Sequence, residues 1–203
     1  MFRVCLLSAL ILTTTAAAQP EKQPPYQLPT PTGWRKEHFA LPPSFAPDMN
    51  WKGSEELRFA PGMFKANAPD FFCYAFLFWL SDDAEVDGKT LERELLAYYR
   101  GLSSAVSKSK KREVDTKAFT LTITAAGQQP DKRPGGEAAA GFVGELKWTE
   151  PFATGKPQAL HLEIQSWQSA SKHHCVFVCA SPQTQTTAVW KILREIRAGC
   201  TCR

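Results

Sequence analysis

The stretch Phe71-Phe-Cys-Tyr-Ala-Phe-Leu-Phe-Trp-Leu80 is apolar at every position. A strand buried on one face alternates apolar and polar side chains; one covered on both faces reads as a continuous apolar run. The run is far shorter than the roughly 20 residues a membrane-spanning helix needs. It is therefore expected as a strand near the centre of a sheet, with protein packed on both of its faces.

Upstream, residues 34–41 and 55–59 read as shorter strands, the second followed by the turn pair Pro61-Gly62. Downstream, Leu91, Leu95, Tyr98 or Tyr99, Leu102 and Val106 recur at steps of three and four. That period predicts one amphipathic helix over residues 89–107, with Asp87 as its N-cap. Lys108, Lys110, Lys111 and Arg112 follow, where cations complement the negative end of the helix dipole; an anion patch is the alternative. Phe119-Thr-Leu-Thr-Ile-Thr124 alternates strictly and predicts a half-buried strand. Residues 126–141, rich in Gly, Pro and Ala, are expected as a mobile loop. Residues 142–149, 159–168 and 173–180 read as three more strands, the last two joined by the hairpin link Ser169-Ala-Ser-Lys172. A final helix over residues 187–197 carries the stripe Val189, Ile192, Leu193 and Ile196, capped by Thr186 or Thr187. The order is β-β-β-α-β-β-β-β-α. Short links between successive strands require antiparallel pairing, so the expected class is α+β: an antiparallel sheet of about six or seven strands packed with two main helices.

The chain begins Met1-Phe-Arg3, followed by the apolar run Val4 to Leu12 and then Ala16-Ala-Ala18. A basic start, a short apolar core and small residues are the pattern of a secretory signal peptide cut near Ala18. Residues 1–18 are thus expected as a signal peptide and 19–33, which hold Pro20, Pro24, Pro25, Pro29 and Pro31, as a Pro-rich tether. Residues 34–203 form a single α+β domain, secreted or periplasmic after cleavage, with no later membrane span.

Over 203 residues the formal net charge is +4, too small to argue for nucleic acid or an anionic membrane as partner. No phosphate-binding loop, dinucleotide fingerprint, zinc-protease or nucleophile-elbow motif is present. No cofactor is expected.

Five cysteines follow the expected cleavage site: Cys73, Cys175, Cys179, Cys200 and Cys202. In an oxidising compartment they invite pairing. A last helix folded back over the strand 173–180 brings the chain end to Cys175, which predicts a disulfide from Cys175 to Cys200 or to Cys202. Cys73 reads as a buried thiol or a partner of Cys179. Cys200-x-Cys202 beside His173-His174-Cys175 is the metal alternative, suited to Cu(I) or Zn(II).

Pairing the hairpin about Ser169 to Lys172, with Gln168 opposite His173, sorts its side chains onto two faces. Leu162, Ile164, Cys175, Phe177 and Cys179 form the core face. His161, Glu163, Gln165, Trp167 and His174 form a polar and aromatic surface, on which His161, Glu163 and His174 are candidates for acid–base or metal chemistry and Trp167 and Gln165 for ligand contact. A solvated sheet face is the alternative. Trp51, Met63 and Phe64 lie in connecting segments and are candidates for an exposed apolar contact.

The element order, ending in Val176-Phe-Val-Cys-Ala-Ser-Pro182 and a helix carrying Trp190, resembles the Mog1/PsbP-like α/β/α sandwich superfamily over residues 34–198. The resemblance implies that fold and a non-enzymatic binding or assembly role, with no site to carry over. The function expected is a non-catalytic domain that binds a partner protein or a small ligand. An envelope enzyme or metal-binding protein using the His/Glu face, or an assembly factor held by the tether, is the alternative.

Overall fold

A computed structural model describes residues 25–128 and 139–203. Along the chain run β1 (Tyr26–Gln27), β2 (Arg35–Leu41), β3 (Gly53–Phe59) and β4 (Tyr74–Leu80), then the helix α1 (Gly88–Ser109) and a 3₁₀ turn (Thr116–Ala118). β5 (Thr120–Gln128), β6 (Ala140–Thr149), β7 (Pro157–Gln168), β8 (His174–Ser181), α2 (Ala188–Ala198) and β9 (Thr201–Cys202) follow. Seven strands form one antiparallel sheet in the order β2-β3-β4-β8-β7-β6-β5, and β1 pairs with β9 in a separate ribbon. The expected α+β class, strand count and two helices are all present. The expected signal segment and residues 19–24 lie outside the described residues, as does most of the expected loop, residues 129–138. Among the described residues no helix is long and apolar enough to cross a membrane.

The apolar run behaves as its composition dictates. β4 is buried at all of its positions and lies between β3 and β8, the strand at the middle of the sheet. Its even-numbered side chains, Tyr74, Phe76, Phe78 and Leu80, pack with Leu91, Leu95, Tyr98 and Tyr99 of α1. Its odd-numbered ones, Ala75, Leu77 and Trp79, pack with Val189, Trp190, Leu193 and Ile196 of α2. The two helices therefore cover opposite faces of the sheet. Asp87 caps α1 by accepting from the Thr90 amide at 2.7 Å.

Two expectations are corrected. Residues 25–33 are not a free tether. Tyr26 and Leu28 are buried in the α2-side core, and the Arg58 guanidinium donates to the Leu28 and Pro29 carbonyls at 3.0 and 3.2 Å. The chain end is held alongside: β1 pairs Tyr26 with Cys202, and the Arg203 amide donates to the Pro25 carbonyl.

The second correction is the register of the C-terminal hairpin. Lys172 sits at φ 67° and its amide donates to the Ser169 carbonyl, while the Ser169 amide donates to the His173 carbonyl. The turn thus absorbs one more residue than the four-residue link assumed, as turns ending in a left-handed residue do. Gln168 pairs with His174 and Trp167 with Cys175. A one-residue slip exchanges the faces: His161, Glu163, Gln165 and Trp167 share the α2 face with Cys175, Phe177 and Cys179.

Candidate functional site

Above β2 and β3, on the α1 side, side chains line a partly open cavity of about 250 Å³. β2 contributes Glu37 and Phe39, the loop after it Phe45, β3 contributes Leu57 and Phe59, and α1 contributes Tyr98 and Leu102. Met63, Phe64 and Phe72 come from the segment between β3 and β4, Tyr74 from the start of β4, and Phe152 from the loop after β6. Five of these rings close on one another: centroids are 6.2 Å apart for Phe59–Phe64, 5.2 Å for Phe64–Phe152, 5.7 Å for Phe152–Phe72, 5.5 Å for Phe72–Tyr74 and 5.9 Å for Tyr74–Phe59. Across from them an arc runs Phe39–Phe45–Tyr98, at 6.3 and 5.1 Å.

Local backbone chemistry holds these walls in place. Gly62 allows the turn that presents Met63 and Phe64: its amide donates to the Asp70 carboxylate at 2.9 Å, and a Cβ there would overlap that carboxylate. Gly101 lets α1 meet the Phe45 backbone, where a Cβ would again overlap. The buried Glu94 carboxylate pins the same loop by accepting from the Asn50 and Trp51 amides at 2.7 and 3.3 Å. Phe152 hangs on a loop wound around buried Glu150, which accepts from the Phe152, Ala153 and Thr154 amides and the Thr154 hydroxyl. Phe72 is fully buried at φ 52°, a left-handed conformation that costs a bulky residue of order 1–3 kcal/mol. The surrounding rings and its amide bond to the Met63 carbonyl hold it there.

One polar group lies against the inner end. Glu55 is one pleat from Leu57 on the same face of β3 and opposite Phe39 of β2. It is 0% exposed, and the Tyr98 hydroxyl is its hydrogen-bonding neighbour, short of full hydrogen-bond geometry. Burial pushes its pKa up to about 8; the adjacent Tyr98 hydroxyl opposes that shift and the Glu37 carboxylate adds to it. Tyr98, lining the cavity, is itself raised well above its usual value by burial and then by Glu55. The sequence carries a signal for Glu55 that is easily passed over: it shares the parity of Leu57 and Phe59, the core-facing positions of its strand.

The residues singled out from the sequence fall in several places. Met63 and Phe64 meet in the cavity, Met63 buried and Phe64 39% exposed at its rim. Trp51 is not an exposed contact: it is buried, its indole N–H donating to the Glu85 carbonyl at 3.2 Å and its ring standing edge-on to Phe78. His161 and His174 lie on opposite faces and are not brought together; His161 faces Glu145 across β6 at 3.9 Å. Glu163 is engaged by Arg194, at 3.0 Å to Nε, and by Arg197, at 3.2 Å, an ion-pair cluster that ties α2 to β7. Gln165 and Trp167 are buried rather than forming a solvent-facing surface.

No disulfide forms among the described cysteines. Cys175 and Cys200 do share the α2-side core, as the folded-back helix predicts, and Cys202 packs against it, but no two of these cysteines stand at bonding distance. The Cys73 sulfur contacts the Ser181 hydroxyl at 2.9 Å, and burial pushes its thiol up to about 12, which leaves it inert as a nucleophile. Among the described residues no three His, Cys, Asp or Glu side chains gather as a metal site, Cys200 and Cys202 included.

A second polar constellation was not anticipated. Cross-strand His38 and Glu56 approach to 3.2 Å, the Tyr26 hydroxyl lies 3.1 Å from Ser54 Oγ and 3.4 Å from His38 Nδ1, and Arg58 donates to Glu56 at 2.6 Å. Its partners fasten the 25–33 segment to the sheet. The aromatic cavity, with a buried carboxyl beside it, is thus the feature best suited to hold a ligand. No family model, curated protein or solved structure matches the chain.

Proposed function

We propose that this is an exported, non-catalytic protein that binds a small apolar molecule in the aromatic cavity. The observation that carries the reading is the cavity itself: eight of its twelve lining residues are Phe or Tyr, held by a strained Phe72 and a Glu150-wound loop. Strain retained at one spot in a fold points to function there. Size sets the ligand. An apolar cavity of about 150 Å³ takes benzene, so one of about 250 Å³ admits a fused bicycle or a chain of roughly eight carbons. Burying eight carbons gains roughly 6 kcal/mol. Lost translational and rotational freedom offsets part of that, which leaves dissociation constants of roughly 0.1–1 mM.

Ligand-observed NMR with naphthalene and 1-octanol tests this. Both are expected to bind in that range, and Leu102→Trp, which fills the cavity from α1, is expected to abolish binding while the far-UV spectrum stays the same. Absence of binding by both compounds, or equal binding to the Leu102→Trp protein, would overturn the reading.

A further inference from the structure

The polar edge of the cavity narrows the class of ligand, on the reading that the cavity binds small molecules. We infer that its ligand is an organic cation, a tertiary or quaternary ammonium carried on a short apolar or aryl arm. Three observations converge on this. The walls are aromatic, and a cation within about 6 Å of a ring centroid is attracted by the negative face of the ring, most strongly when water is excluded. The Arg35 guanidinium already uses the rim in this way, 5.1 Å from the Phe64 centroid. Charge is the second observation: the one charged lining residue is Glu37.

The third is Glu55, fully buried beside lining residues Phe39, Leu57 and Tyr98, its carboxyl approached by the Tyr98 hydroxyl and by no basic group. The groups that act on it are Tyr98 of α1 and Glu37 of β2, neither of them basic; it acts in turn on Tyr74 of β4 and Tyr99 of α1. A buried carboxyl in such surroundings needs either a proton or a countercharge. Without a countercharge it keeps the proton at neutral pH. A bound ammonium supplies the charge instead, acting from behind the lining residues: the carboxyl O–H bond breaks, the electron pair stays on the Glu55 carboxylate, and the proton passes to solvent. A neutral molecule of the same shape gains only apolar burial and leaves the proton in place.

Phenyltrimethylammonium and its uncharged isostere tert-butylbenzene separate these cases. Calorimetry at about pH 7 in two buffers of different ionisation enthalpy reads affinity and proton release together. The cation is expected to bind roughly tenfold tighter than the isostere and to release a fraction of a proton approaching one; the isostere releases none. In Glu55→Gln the proton release disappears and the cation's advantage shrinks to what the ring faces and Glu37 supply, while tert-butylbenzene still binds. Buffer-dependent heats on the unaltered protein keep the test decisive if that variant folds poorly. Binding of tert-butylbenzene without preference for the cation, or cation binding without proton release, overturns this inference and leaves the apolar site standing. Failure of both probes overturns both.

Discussion

Glu55 holds a proton in the folded chain that the unfolded chain gives up. Its pKa stands near 8 when folded against an ordinary value of 4.5, chiefly through burial. The sign follows from linkage. Below 4.5 both states are protonated and the contribution is fully present; as pH rises the unfolded chain ionises first, and stability falls until the folded pKa is passed. The expected slope attributable to this group inside that window is about 1.4 kcal/mol per pH unit. Urea titrations across the window should show it in the parent protein and a flatter profile in Glu55→Gln; parallel profiles would contradict the burial described here. Phe72 offers a different check, because its φ of 52° favours glycine. Phe72→Ala is expected to cost about 3–5 kcal/mol through the lost ring. Phe72→Gly should be no worse than the alanine variant, the reverse of the usual order inside regular structure. Neither feature could be read with certainty from the chain. Glu55 sits at a core parity, but Glu56 beside it has the same chemistry, and only the covering helix decides which is buried. A left-handed phenylalanine leaves no compositional trace at all.

Among the elements, those that depend on local pattern were legible. The double-sided apolar run gave β4, the three-and-four spacing gave α1, and Asp87 marked its start, because each signal is contained within one turn or one pleat. What depends on turn geometry was not. Lys172 in the left-handed region moved the hairpin by one residue, so that Glu163, Gln165 and Trp167, assigned to a surface, went to the α2 face, and His174 went to the other. Short pairings such as β1 with β9 were invisible, since two residues carry no period. The loop after β6 supplies an element-level prediction. Its conformation depends on the Glu150 carboxylate, buried and accepting several backbone amides. Glu150→Ala is expected to destabilise the protein by about 2–3 kcal/mol, to abolish hydrogen-exchange protection at Ala153 and Thr154, and to weaken naphthalene binding by releasing Phe152. Unchanged exchange at those amides would refute this account of the loop.

At the level of the whole molecule, two helical layers enclose a sheet whose middle strands β4 and β8 are buried at all but His174, and a strap over residues 25–33 finishes the α2 side. Arg58, 5% exposed, bonds to Glu56, the Leu57 carbonyl and two strap carbonyls. Losing the strap would leave that guanidinium partly unmet and uncover the core around Trp79. A chain beginning at Trp34 is therefore expected to be less stable than one beginning at Pro25 by roughly 3–5 kcal/mol, measurable as an earlier urea midpoint; equal midpoints would show the strap to be dispensable. The ribbon made by β1 and β9 has a mechanical corollary. Pro25 and Arg203 stand side by side at its mouth, so opposite tugs on handles attached there would unzip it rung by rung rather than shear it. The strap would peel next, under gentle load, and the seven-stranded sheet would feel the force only after both had let go.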